Sequence, residues 1–132
     1  MAKEAAGQGF TLKFAKCHRK VHGIIIRNCG HNTAAGRRDT RGFRVTGAQQ
    51  FAGPWETLVE EELEDLEGTP PVLTFHFPPR NIRFIRFNIL SFWGKSGGLR
   101  YFYPITGTFK FKFKFKLCLY EVMSFYLLPF SF

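Results

Sequence analysis

The chain has no C-x-x-C pair, and none of its three cysteines and four histidines stands in a recognisable catalytic signature, so a structural zinc site or a thiol nucleophile has no motif to rest on. Acids are scarce, ten against nineteen Lys and Arg, and seven of those ten (Glu56, Glu60, Glu61, Glu62, Glu64, Asp65, Glu67) fall within one short stretch. Consecutive glutamates point in different directions on any regular backbone, which argues for a solvated charge run over a converging acid–base or calcium pair. Sustained helical periodicity is also missing, which excludes a helical bundle. The first ten residues hold no apolar run of the length a secretory signal needs. The sixteen residues of 117–132 are nearly all apolar but broken by Glu121 and Pro129, and they fall short of the roughly 20 required for a transmembrane helix.

What the chain does have is alternation. Ile85, Phe87 and Ile89 alternate with Arg86 and Asn88, the period of a strand with one face buried and one wet. Phe10, Leu12 and Phe14 repeat the pattern, as do Phe43 and Val45, and Leu73, Phe75 and Phe77 before Pro78-Pro79. The run from Val21 to Ile26 is apolar enough to be buried on both faces. After Gly94-Lys95-Ser96-Gly97-Gly98, a turn that exploits glycine's freedom at positive φ, Leu99, Tyr101 and Tyr103 form another strand. Residues 28–41 read as a long polar loop, and the acidic run leaves room for a short helical turn before Pro70-Pro71. Six or seven strands in one compact body, with 45% apolar residues and 17 Phe to fill a core, predict an all-β antiparallel sandwich.

Three blocks in register carry a family resemblance. They are Gly23-Ile24-Ile25-Ile26-Arg27-Asn28, then Arg41-Gly42-Phe43-Arg44-Val45-Thr46-Gly47 followed by Gly53-Pro54-Trp55-Glu56-Thr57-Leu58-Val59, and finally 82–102, IRFIRFNILSFWGKSGGLRYF. Together they resemble the coagulation factor 5/8 type C, or discoidin, domain of the galactose-binding-like superfamily. The resemblance covers 9–105, leaving 1–8 as an N-terminal extension and 106–132 as a tail outside it. It implies a jelly-roll sandwich and a mostly extracellular family of adhesion modules that bind carbohydrate or phospholipid. It also implies an incomplete domain, because about thirty opening residues have no counterpart before Gly9. The calcium loop of some relatives lies in that part, so no metal ligand carries over. The N-terminal partner of the family's end-to-end disulfide is absent too. Cys17, Cys29 and Cys118 are expected as free buried thiols, a hairpin of 10–14 with 21–27 placing Cys17 and Cys29 too far apart to bridge.

A net charge of +9 favours anionic partners without choosing among them. Arg and Lys interleaved with aromatics suggest a nucleic-acid platform, but any half-buried strand produces that interleaving, so no specific nucleic-acid binding is expected. In the discoidin fold, loops at one end of the sandwich recognise ligands. The loop 29–41 is the candidate here, with Arg37, Arg38 and Arg41 as planar forks for carboxylate, sulfate or phosphate and His31 and Asn32 as sugar-hydroxyl contacts. Trp93 is the second candidate, as an exposed indole or as a ring packed under its turn; Trp55 reads as core. The expected function is a non-catalytic module, without cofactor, that binds a glycan or an anionic phospholipid surface. Two alternatives are a protein-interaction domain that uses the acidic run and the basic loop, and attachment to a membrane surface through the tail. In that tail, 108–116 alternates Phe109, Phe111, Phe113 and Phe115 with Lys110, Lys112, Lys114 and Lys116. It reads as an interfacial element, as a sheet-completing strand, or, preferably, as sequence outside the domain.

Overall fold

The computed structural model describes residues 2–30, 38–65, 68–94, 97–107 and 125–128. These form eight strands: β1 (Ala2–Phe14), β2 (Arg19–Arg27), β3 (Arg38–Ala48), β4 (Glu56–Glu62), β5 (Leu73–Ile82), β6 (Phe84–Gly94), β7 (Tyr101–Thr106) and β8 (Phe125–Leu128). They make a five-stranded sheet in the order β4-β3-β6-β1-β8 and a three-stranded sheet in the order β5-β2-β7. Every paired neighbour is antiparallel. The chain is an all-β sandwich, with no helix among the described residues.

The alternation read from the sequence decides which side chains meet between the sheets. Ile85, Phe87 and Ile89 of β6, Phe43 and Val45 of β3 and Leu12 and Phe14 of β1 face Val21, Ile24 and Ile26 of β2 in one core. Rings lock the layers together. Phe87 stacks on Phe43 at 5.2 Å and on Phe10 at 5.5 Å, while Phe102 meets Phe87 edge-on at 5.6 Å and Phe75 meets Phe43 at 5.4 Å. Offset and edge-to-face pairs of this kind add to what burial alone contributes.

Connectivity departs from the expected hairpin. β1 pairs with β6 and β8, whereas β2 pairs with β5 and β7, so 10–14 and 21–27 belong to opposite sheets. β2 takes the centre of its own sheet with a strand on either side; Val21, Ile24 and Ile26 are fully buried, whereas Ile25 is only half-buried, not covered on both faces as its run suggested. β3 and β4 are the sequence-adjacent strands that pair directly. β1 begins at Ala2, inside the stretch read as an extension, and pairs with β6 from Trp93 onward. Phe125–Leu128, inside the expected tail, adds to β1 as an edge strand. The F-K repeat at 108–116 lies outside the described residues.

Three further boundaries moved. Pro78-Pro79 does not end its strand: β5 runs to Ile82, because it is an edge strand whose register slips between the Gly23 and Val21 pairings, and prolines are tolerated where no ladder donor is needed. Glu60–Glu62 prolong β4 opposite Arg44, Phe43 and Gly42, so no helical turn forms there. The polar loop is shorter than expected, with β3 already established at Arg38 opposite Gly94.

Candidate functional site

The connections β2–β3, β4–β5 and β6–β7 converge at one end of the sandwich, which is called the loop end below. Polar side chains and backbone tie them together. Asn28 Nδ2 donates to the Thr40 carbonyl at 3.0 Å and its Oδ1 accepts the Thr40 N–H at 2.9 Å. The buried Asp39 carboxylate accepts the Gly30 N–H at 2.8 Å, and Thr40 Oγ1 donates to the Gly98 carbonyl at 2.9 Å. Arg27 Nε reaches the Pro70 carbonyl at 3.0 Å. Asn28→Ala deletes both bonds to a fully buried residue. It is expected to cost about 2 kcal/mol in denaturant unfolding; equal stability of Asn28→Ala and wild type would contradict this clamp.

Of the six candidates from sequence, His31, Asn32 and Arg37 lie outside the described residues, and so does the Arg38 side chain, although its backbone opens β3. The remaining two are brought together. The Arg41 guanidinium lies over the Trp93 ring at 5.3 Å, and its Nη2 is 3.6 Å from Glu62 Oε2 at the rim. Trp93 is half-buried, and its Nε1 donates to the Leu63 carbonyl at 3.4 Å. The Arg41 guanidinium therefore sits over the Trp93 indole in a cation–π arrangement.

Space at this end decides how a ligand can bind. The cavity between Asn28, Asp39, Leu63 and Pro70 holds about 30 Å³, room for water but not for a sugar ring. A shallow depression, open to solvent, lies beside Gln8, Phe10, Ile89 and 97–99. Gly98, held by Thr40, joins that depression to the Arg41 corner.

The opposite end is formed by the β1–β2, β3–β4 and β5–β6 connections, and Arg83 binds them. Its Nε donates to the Phe14 carbonyl at 2.6 Å, an Nη to the Ala15 carbonyl, and its backbone N–H to the Ala48 carbonyl. Here the expectation for Trp55 fails. The ring is half-buried on the outer face of the large sheet, with its Nε1 donating to the Phe51 carbonyl at 3.1 Å and the Arg86 guanidinium 3.9 Å from its centroid. Arg86 alternates with core residues on β6 and so faces outward, and Trp55 folds back over it. Burial beneath that ring draws the Arg86 pKa below its ordinary value. The available signal was the loop itself: in QQFAGPW, Phe51 and Trp55 sit in a connection rather than a strand, and connections run over surfaces.

Among the described residues, the histidines and cysteines do not assemble into a three-ligand site elsewhere. His18 and His22 stand four apart, a spacing that pairs metal ligands on a helix, but one lies in a turn and the other in β2. The His22 Nε2 is 3.1 Å from the Gly107 carbonyl, and its ring stacks on His76. No group of three His, Cys, Asp or Glu converges among the described residues. The Cys17 thiol is free and exposed, not buried as expected, while Cys29 is half-buried; Cys118 lies outside the described residues. Glu60 and Glu56 form ion pairs with Arg44 and Arg80. No helix among the described residues is long and apolar enough to cross a membrane. Comparison of the chain with protein-family models, curated proteins and solved structures gives no match.

Proposed function

We propose that the chain is a discoidin-like, non-catalytic recognition module that holds an acidic or sulfated glycan at its loop end. The observation that carries this reading is the Arg41–Trp93 pair, contributed by two strands that neighbour each other in the large sheet and set beside the connections that close this end. A guanidinium presents paired N–H donors to a carboxylate or sulfate, and the depression beside Gly98 offers apolar and amide groups for a sugar ring. Glu62 at 3.6 Å is a loose partner, 71% exposed, that an incoming anion can displace.

A glycan array carrying neutral, sialylated and sulfated members, probed at low and high salt, tests the reading. Binding is expected to favour the charged members and to weaken with salt. Arg41→Ala is expected to lower affinity for them about tenfold, the worth of one charge-assisted hydrogen-bond pair, with little loss of stability because the side chain is at the rim. Retention of no charged glycan removes the reading. Retention indifferent to Arg41→Ala removes the assignment of the site.

A further inference from the structure

The outer face of the small sheet carries His22 and His76 side by side. Strand pairing fixes that face. Ile24 lies opposite Phe75 and Ile26 opposite Phe102, and all four belong to the core or pack against it, so the alternate position, Gly23, looks outward with its partners His76 and Ile105. A Cβ built on Gly23 would meet Ile105 Cδ1 at 3.1 Å and His76 Nδ1 at 3.3 Å, which puts all three residues on one side. Strict alternation would turn His22 inward with Ile24 and Ile26. It does not, because β2 has one residue more than β7 at this point: Val21 pairs with Thr106 and Gly23 with Ile105, leaving His22 as the extra residue of a β-bulge. The β5 ladder breaks at the same place, between the Gly23–His76 and Val21–Arg80 pairings. His22 is thereby aimed at the face His76 occupies, and the two rings stand 6.5 Å apart, parallel to within 7°.

Two details suit these imidazoles to a metal ion. The Gly107 carbonyl, 3.1 Å from His22 Nε2, can only accept, so in the neutral ring Nε2 carries the proton and Nδ1 the lone pair. Metal-binding histidines commonly have their tautomer fixed in this way, by a carbonyl on the other ring nitrogen. The second detail is the glycine. Because Gly23 has no side chain, the His76 ring lies back across β2 toward His22, and His76 is exposed, so a turn about its own side-chain bonds brings a nitrogen onto a metal held by His22. The donor set selects the ion. Two neutral imidazoles suit zinc, nickel and copper, whereas calcium and magnesium require oxygen ligands. No third His, Cys, Asp or Glu converges here among the described residues, so the remaining coordination positions go to water or to an incoming ligand.

We infer that His22 and His76 form an open two-histidine site for a late first-row divalent metal ion such as zinc or nickel. A metal held there bridges β2 and β5 across the break in their ladder. The site lies on the small sheet, apart from Arg41 and Trp93 on the large one, and does not rest on the glycan reading.

Titration of the untagged chain with zinc or nickel chloride, followed by calorimetry and by thermal unfolding, tests it. A single equivalent is expected to bind and to raise the unfolding temperature, since the two ligands meet only in the folded chain. Calcium and magnesium are expected to do neither. His22→Gln and His76→Gln are each expected to weaken zinc binding about tenfold or more and to abolish the thermal shift. His76 is exposed, so unchanged unfolding of metal-free His76→Gln separates lost ligation from lost folding. A wild type that binds neither zinc nor nickel overturns the inference. So does binding that survives both variants; its loss in Cys17→Ser would assign the metal to the exposed thiol instead. Loss in one histidine variant alone makes the site a single surface imidazole and overturns the inference equally.

Discussion

Phe87→Ala is expected to destabilise the fold by about 3–5 kcal/mol, the range for removing a large aromatic from a packed core. The side chain is 0% exposed on the central strand of the large sheet. It stacks on Phe10 and Phe43 and meets Phe102 edge-on, so one truncation leaves a void bordered by three strands from two sheets. Domains of this size are stable by roughly 5–15 kcal/mol in total, so the loss takes from about a fifth to all of that margin. Urea unfolding followed by far-ultraviolet circular dichroism measures the loss directly. Phe51→Ala removes the same group from a half-exposed position and should shift stability by no more than about 0.5 kcal/mol. A Phe87→Ala cost close to that of Phe51→Ala would refute this account of the core.

Gly9→Ala is expected to cost about 3 kcal/mol or more, a large effect for one methyl group. Gly9 has φ of +148°, outside the ordinary range of a side-chain-bearing residue, and a Cβ there would lie 2.1 Å from the Phe87 carbonyl oxygen. That oxygen is backbone on the central strand and cannot swing aside, so the clash displaces the β1–β6 ladder next to the irregular register between Glu4 and Gln8. Gly68 separates the two causes. It also has positive φ, +83°, but nothing lies within 4 Å of the position its Cβ would take. Gly68→Ala should therefore cost only the conformational part, on the order of 1–2 kcal/mol. Similar losses for the two variants would show that the close approach at Gly9 contributes nothing.

The two-residue period was legible along most of the chain because burial on one face imposes it locally. Ile85, Phe87 and Ile89 face the core as their spacing predicts, and Phe43, Val45, Leu12 and Phe14 do the same. Which strand lies beside which was not legible. The nearness of 10–14 and 21–27 suggested a hairpin, whereas the pairing is decided by partners far along the chain, Leu12 with Ile85 and Ile24 with Phe75. Pro78-Pro79 misled for a related reason, since a proline's effect depends on whether its strand has a neighbour on that side.

The candidate site divides in the same way. Arg41 and Trp93 could each be singled out by residue type, but their approach to 5.3 Å follows from β3–β6 register and is invisible in a linear pattern. Trp55 shows the converse failure. Its apolar bulk suggested a core position, yet the ring lies on the solvent side of the sheet over Arg86, with the rings of Phe51 and Phe84 beside it.

The order of the strands also governs how the chain comes to be folded during synthesis. Leu12 on β1 pairs with Ile85 on β6, so the first strand made must wait for one roughly seventy residues later, on the order of 4–15 s at ordinary ribosome speeds. β2 emerges in the meantime with Ile24, Ile25 and Ile26 uncovered, because both of its partners, β5 and β7, are made later still. The nascent chain thus displays a β-branched segment for seconds before any sheet can receive it, and its yield in the cell will depend on what shields that segment until β5 and β7 arrive.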